Sequence, residues 1–366
     1  MACSPVIGLT SLPGMSDFDL VSTYDYRLPP ELIADVPLER RDASRMMTVD
    51  RTTGDIAHRS VTDLPALLRP DDVLVLNETR VIPAALRGVR TATGGKWEGL
   101  FLGATGTGDW RIIGQTRGRL QAGETLTISG PDAADDSLEL RLVEKLDDGE
   151  WLVAPDSADD PLVLLDRFGG VPLPPYIERR RPKPEDRDRY QTVFARSPGA
   201  IAAPTAGLHF SEDLLNSCRK QGAAIARLTL HVGLGTFRPV KTVRTSEHAM
   251  HSEWCELPKA AAEAIQACKA TGGRVIAVGT TCVRTLETVA ASGPVREWSG
   301  ETDIFIRPPY EFRVVDGLLT NFHLPRSTLL MLVCAFAGRD LVMQAYKSAI
   351  GERYRFYSYG DCMLML

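Results

Sequence analysis

Residues 258–284, PKAAAEAIQACKATGGRVIAVGTTCVR, decide the fold class. Apolar residues recur at helical spacing from Pro258 to Thr271, and Gly272-Gly273 supplies an ordinary helix stop. Arg274 to Val278 follows as a short buried strand and runs straight into the small polar turn Gly279-Thr280-Thr281. The same grammar appears upstream. Ser211 is placed to cap a helix over Glu212 to Gly222, and Ile225 to Val232 reads as the next strand. Helix, strand, small-polar turn and helix in repeated order predict an α/β domain.

Working outward, Val73 to Leu76 is another compact buried strand, ending in Asn77-Glu78-Thr79-Arg80. Asp50 to Asp55 predicts a hairpin turn between Met46–Val49 and Ile56–His58. Between 82 and 161 the texture changes. Short alternating strands are expected at Trp97–Leu102, Trp110–Gly114, Thr125–Ile128, Leu138–Val143 and Trp151–Val153, separated by Gly, Asp and Pro turns. The predicted architecture is therefore α/β: a discontinuous mixed α/β, barrel-like main domain over 21–81 and 162–366. A small all-β barrel domain is inserted at 82–161, and 1–20 is expected to be a disordered extension.

Composition narrows the class further. At 366 residues, with 44% hydrophobic and 24% charged residues, the chain suits a globular protein of about two domains. Its most apolar run, Ser327 to Ala337, falls short of the ~18 residues a membrane span requires and reads as a buried helix or strand. Seven dispersed cysteines without a CxxC pair suit a reducing, cytoplasmic setting. A net charge of −5 gives no global sign of nucleic-acid binding, yet a local basic face is compatible with it. Arg111, Arg117 and Arg119 form one such cluster, and Arg179-Arg180-Arg181-Pro182-Lys183 another.

Three segments share one design, a buried strand ending in glycine and small polar residues: 204–210 (PTAGLHF), 231–237 (HVGLGTF) and 279–284 (GTTCVR). Glycine admits close backbone approach to a ligand, and a helix N-terminus beyond such a turn can hold an anion. His231-Val-Gly233-Leu-Gly235 lacks the third glycine of a dinucleotide fingerprint, and no phosphate-binding P-loop is present. His248, His251 and Glu253 lie close in sequence but supply no complete zinc ligand spacing, so no metal is expected. Asp361, beside Gly360 at a turn, is positioned for a catalytic or ligand-fixing role.

Together these segments resemble the S-adenosylmethionine:tRNA ribosyltransferase-isomerase family. The resemblance runs in order through 24–34 (YDYRLPPELIA), 41–45 (RDASR), 76–84 (LNETRVIPA), 190–195 (YQTVFA) and 202–210 (AAPTAGLHF). It continues through 230–240 (LHVGLGTFRPV), 248–253 (HAMHSE), 277–284 (AVGTTCVR), 302–306 (TDIFI), 319–329 (LTNFHLPRSTL) and 354–361 (YRFYSYGD). Departures are Gln115–Arg119, where the family carries a Lys-Pro-containing basic stretch, and Arg307–Tyr310, where a Tyr-Pro-Gly-aromatic run is usual.

The resemblance implies transfer and isomerisation of the ribosyl unit of S-adenosylmethionine onto 7-aminomethyl-7-deazaguanine at the wobble position of a tRNA with a GUN anticodon. Epoxyqueuosine is the implied product, with adenine and methionine released. The sulfonium compound is consumed as a substrate, so no cofactor is expected; a monomer with no membrane partner is. Proton transfers would fall to His209 or Glu253, with Asp361 as a further catalytic group. His231, Gly233, Gly235, Thr236, Thr280 and Thr281 would grip the methionine and ribose parts of the donor, with Thr205 and Gly207 as further substrate-binding residues. Asn77, Thr79, Arg80, Asn321 and His323 would position the base or its phosphate. A methyltransferase is disfavoured by the missing Rossmann glycines, and a catalytically silent RNA-binding protein by the histidine and glycine segments.

Overall fold

Buried strands in this chain are apolar on both sides because each separates two cores. In Val73–Asn77, Val73 and Val75 belong to one core cluster while Leu74 and Leu76 belong to the other. Val275–Val278 alternates in the same way, Val275 and Ala277 against Ile276 and Val278. Such strands read as continuous hydrophobic runs, as expected where helices cover both faces of a sheet. The computed structural model describes residues 17–130, 136–174, 177, 185–233, 235 and 240–366.

Seventeen strands are described: β1 (Arg45–Val49), β2 (Ile56–Ser60), β3 (Val73–Asn77), β4 (Thr79–Val81), β5 (Ala85–Arg90), β6 (Lys96–Ala104), β7 (Trp110–Thr116), β8 (Thr125–Ser129), β9 (Ser137–Lys145), β10 (Glu150–Pro155), β11 (Ser197–Ala200), β12 (Ala224–Leu230), β13 (Glu253–Leu257), β14 (Val275–Val278), β15 (Trp298–Thr302), β16 (Gly317–Asn321) and β17 (Cys362–Met365). The helices are α1 (Leu64–Leu67), α2 (Pro161–Phe168), α3 (Asp186–Arg189), α4 (Glu212–Lys220), α5 (Lys259–Ala270), α6 (Thr280–Ala291), α7 (Thr328–Ala337) and α8 (Arg339–Gly351), with short 3-10 turns between them.

Nine strands form one sheet in the order β15-β13-β12-β3-β14-β16-β17-β1-β2, and six close into a barrel in the order β10-β7-β6-β5-β8-β9. The expected mixed α/β body with a small closed β-barrel is present. The larger sheet is open from β15 to β2 rather than barrel-like. Strands β12, β3, β14 and β16 are mutually parallel, and β17 runs antiparallel to β16. The four parallel strands therefore end at Leu230, Asn77, Val278 and Asn321 along one edge. Ligands bind outside such carboxyl ends in open α/β sheets.

The barrel interior holds Trp97, Trp110, Leu126, Leu140 and Val153 among its buried residues. It joins the body through a reciprocal backbone pair, Ala85 N to Gly170 O at 3.0 Å and Gly170 N to Ala85 O at 2.8 Å. Ser211 caps α4 by accepting from the Leu214 amide at 3.1 Å, as its sequence position predicts. The expected extension 1–20 lies mostly outside the described residues, but Leu20 bridges to Arg244, and Asp19 accepts from Thr245 Oγ1 at 3.0 Å and the Ser246 amide at 2.9 Å. Residues 19–20 thus belong to the folded body. The basic run 179–183 and Cys3 lie outside the described residues; the other six cysteines are free and buried. Among the described residues no single helix is long and apolar enough to cross a membrane.

Candidate active site

The carboxyl edge of the sheet carries a cavity of about 290 Å³. Its wall takes Val232 from beyond β12, Gly279 to Thr281 from the start of α6, and Thr320 to Ser327 with Leu329 from the end of β16 onward. Tyr190, Ala202 to Ala206, Tyr357 and Ser358 complete it. A smaller cavity of about 40 Å³ shares Leu329 with it and is lined by Gly235, His248, Met250, His251, Glu253 and Arg284, among others.

Gly279 turns the chain from β14 into α6 at φ 93°, in the left-handed region that favours glycine. It places no side-chain cap on the helix. The first amides of α6, twelve residues long, lack intrahelical acceptors and lie in the cavity wall with the positive end of the helix dipole. Thr280 and Thr281 are thus the first helical residues. Thr281 Oγ1 accepts from Asn77 Nδ2 at 3.2 Å.

Asn321 is 2% exposed and lines the large cavity. Its Nδ2 lies 3.0 Å from the Tyr357 carbonyl and 3.2 Å from His209 Nε2. A carbonyl only accepts, so the amide nitrogen must face Tyr357; His209 Nε2 is then the acceptor and its proton sits on Nδ1. Both Nδ2 hydrogens are spent, while Oδ1 is buried without a partner among the described residues. That leaves one carbonyl acceptor for a ligand N–H or O–H.

His209 stands behind Asn321 and does not line the large cavity. Burial, assisted by the Arg355 charge, lowers its pKa to about 4, so the ring is neutral at physiological pH. This folded value lies below the ordinary 6.5, so the stability it contributes is present above pH 6.5 and lost as pH falls toward 4. The expected loss from this group between pH 7 and pH 5 is about 2 kcal/mol. Urea unfolding at both pH values should show a flatter dependence in His209→Gln; an unchanged slope would remove the burial argument. His323 does line the cavity; burial takes its pKa down to about 3, and its Nε2 lies 2.9 Å from Thr320 Oγ1.

Glu253 is fixed in a buried ion pair with Arg284, and its Oε1 accepts from the Gly233 amide at 2.8 Å. Arg284 also donates to the Thr302 carbonyl at 3.2 Å and the Ile304 carbonyl at 3.4 Å. The pair forms the wall of the smaller cavity, and no carboxylate oxygen of Glu253 is left idle. His248 packs edge-on against Phe305, and among the described residues no three His, Cys, Asp or Glu side chains are grouped as metal ligands would be.

Several expected ligand contacts serve the scaffold instead. Asn77 accepts from the Thr79 and Leu230 amides at 3.1 Å and donates to the Leu230 carbonyl at 3.0 Å, stapling β3 to β12. Thr79 Oγ1 lies 2.8 Å from His231 Nδ1, and the His231 ring stacks on Trp254 at 5.1 Å. A Cβ at Gly199 would come 2.7 Å from His231 Nε2, so glycine there makes room for the ring. Gly207 packs under Phe194 and Thr192, and Gly235 under His251. Arg80 is exposed on β4, away from both cavities.

Asp361 corrects a sequence expectation. Its carboxylate accepts from the Arg45 amide at 2.9 Å and the Arg355 amide at 2.8 Å, clamping β1 to the 355–361 loop outside the cavity wall. Burial raises its pKa against those two amides. Thr205, Thr280, Thr281, Asn321 and His323 do meet in the large cavity, whereas Thr236 lies outside the described residues. Sequence reasoning assigned no role to Arg284 or to the apolar wall of Ala202, Ala203, Phe322, Leu324 and Pro325. Arg284 sits four residues after Thr280 on α6, a spacing that puts both on one helix face.

The family model described as "Queuosine biosynthesis protein" matches residues 21–365. The chain belongs to the queuosine biosynthesis protein family. Relatives in this family include the S-adenosylmethionine:tRNA ribosyltransferase-isomerases of Rubrobacter xylanophilus and Citrifermentans bemidjiense. The first is 52% identical over 93% of this chain and 96% of its own length, the second 48% over 94% and 99%. The crystal structure of the S-adenosylmethionine tRNA ribosyltransferase of Thermotoga maritima is 37% identical, with a TM-score of 0.54, covering 94% of this chain and 100% of that one. Queuosine biosynthesis family membership thus spans both the sheet that carries the cavities and the barrel.

Proposed function

We propose that this chain transfers and isomerises the ribosyl moiety of S-adenosylmethionine onto 7-aminomethyl-7-deazaguanine at the wobble position of tRNA, releasing adenine and methionine. Near full-length similarity to relatives bearing that enzyme name carries the reading. The cavity supports it chemically. The α6 N-terminus suits an anionic group such as a carboxylate. The buried Asn321 carbonyl suits an amino or hydroxyl donor. Apolar Ala202, Val232, Phe322 and Leu329 suit a flat or aliphatic ligand body.

Among the described residues His323 is the imidazole in the large cavity's wall; burial holds it neutral, so it serves the ligand as a hydrogen-bonding group. His209 acts through Asn321, and Glu253 with Arg284 shapes the neighbouring cavity. The barrel offers exposed Arg117 and Arg119 for RNA contact. The enzyme works as a cytoplasmic monomer and uses no cofactor.

The test is product analysis with S-adenosylmethionine and a tRNA carrying the aminomethyl-deazaguanine. Adenine and methionine in equal amounts are expected; S-adenosylhomocysteine, or no product, would overturn the proposal. His209→Ala should reduce turnover, and near-normal turnover would end its positioning role.

A further inference from the structure

Next to His209, which contacts Asn321, lies a pocket lined by Arg40, Arg41, Arg189, His209 and Ser358 to Gly360. We propose that this pocket holds a phosphodiester of the RNA substrate, beside the nucleotide that enters the large cavity. The inference rests on the function proposed above and adds a place for the backbone.

The guanidinium groups here are oriented mainly by backbone carbonyls. Arg41 Nη2 donates to the Asp188 carbonyl at 2.8 Å, Arg189 to the carbonyls of Glu39 at 2.9 Å and Leu38, and Arg355 to the carbonyl of Val36. Carbonyls fix a guanidinium without cancelling its charge. Arg40 does pair with Asp42 at 3.0 Å, and the other Asp42 oxygen accepts from Ser211 Oγ at 2.8 Å. Asp188 and Glu39 are exposed, Asp35, Glu185 and Asp186 lie in the same segments, and the buried Asp361 carboxylate feels the Arg355 charge.

One guanidinium N–H group of a lining residue, Arg189 Nε, is buried without a partner among the described residues. A buried donor left unsatisfied is costly, and an anion with several acceptor oxygens would satisfy it. Arg41 is held below its ordinary value by burial and by the charge of Arg189, so these cations already repel one another. The contact from His209 to Asn321 places the pocket one hydrogen bond from the cavity wall. A phosphate there and a base in the large cavity would belong to neighbouring parts of one nucleotide chain.

The experiment compares wild type, Arg41→Gln and Arg41→Lys for binding of an anticodon stem-loop across a salt series. Arg41→Gln should weaken binding roughly tenfold at low salt and reduce the salt slope by about one, with Lys intermediate. The KM for RNA should rise while kcat and the KM for S-adenosylmethionine stay unchanged. Should Arg41→Gln lower the unfolding temperature, the exposed Arg40→Gln carries the same comparison. An Arg41→Gln protein with wild-type slope and affinity, in an enzyme that still releases adenine, overturns the pocket and leaves the function standing. Inorganic phosphate bound at the pocket without any change in RNA slope marks a free-anion site and overturns the RNA assignment. A wild type that neither binds the stem-loop nor releases adenine overturns the function and the pocket together.

Discussion

Replacing Asn321 with alanine is expected to lower kcat/KM by at least about a hundredfold, the largest activity loss among substitutions that leave the fold intact. The change removes the donor to His209 Nε2, the donor to the Tyr357 carbonyl and the free Oδ1 acceptor together. Each buried polar group left unpaired costs about 1–3 kcal/mol, and about 1.4 kcal/mol is a factor of ten. Asn321→Asp should be worse for folding, because a carboxylate would face the Tyr357 carbonyl with no hydrogen to give. Steady-state adenine release and thermal unfolding of both variants check this. Activity of the alanine variant within threefold of wild type would show that the carbonyl does not meet the ligand.

Glu253→Ala is expected to cost about 3–5 kcal/mol of folding stability, because it strands the Arg284 guanidinium in a buried site. Adding Arg284→Met should recover much of that stability, since a hydrophobic replacement of both partners is often neutral or better. Turnover should not recover with it, because the Gly233 amide and the small cavity lose their anchor. The alternative, Glu253 as the proton acceptor of the reaction, predicts a stable but inactive Glu253→Gln enzyme. Denaturant unfolding of the single and double variants separates the two.

Three of the four parallel strands were legible in the sequence because burial on both faces leaves a clear mark, as in Val73–Leu76 and Val275–Val278, whereas Gly317–Asn321 was not. Barrel strand β5 was not: Arg87, Gly88 and Arg90 interrupt its alternation, and its partners are set by closure of the barrel. Asp361 and Asn77 were misjudged for a shared reason. A polar residue at a strand end can face a ligand or satisfy backbone, and the choice depends on amides distant in the chain, Arg45 for Asp361 and Leu230 for Asn77. Thr280, Thr281, Asn321 and His323 share one cavity wall because they lie at or just past strand ends. The apolar half of the cavity stayed hidden, since Ala202 or Phe322 in a ligand wall carries the same sequence signal as one in a core.

The reciprocal bonds between Ala85 and Gly170 have a practical meaning. They bring the chain's exit into the barrel and its return within one hydrogen-bonded strand pair, about 5.5 Å between Cα atoms. The barrel is therefore a cassette with adjoining ends, the geometry in which whole segments can be exchanged without stretching their host. Swapping residues 86–169 among relatives would graft one barrel onto another's sheet, leaving the strand-end cavity untouched.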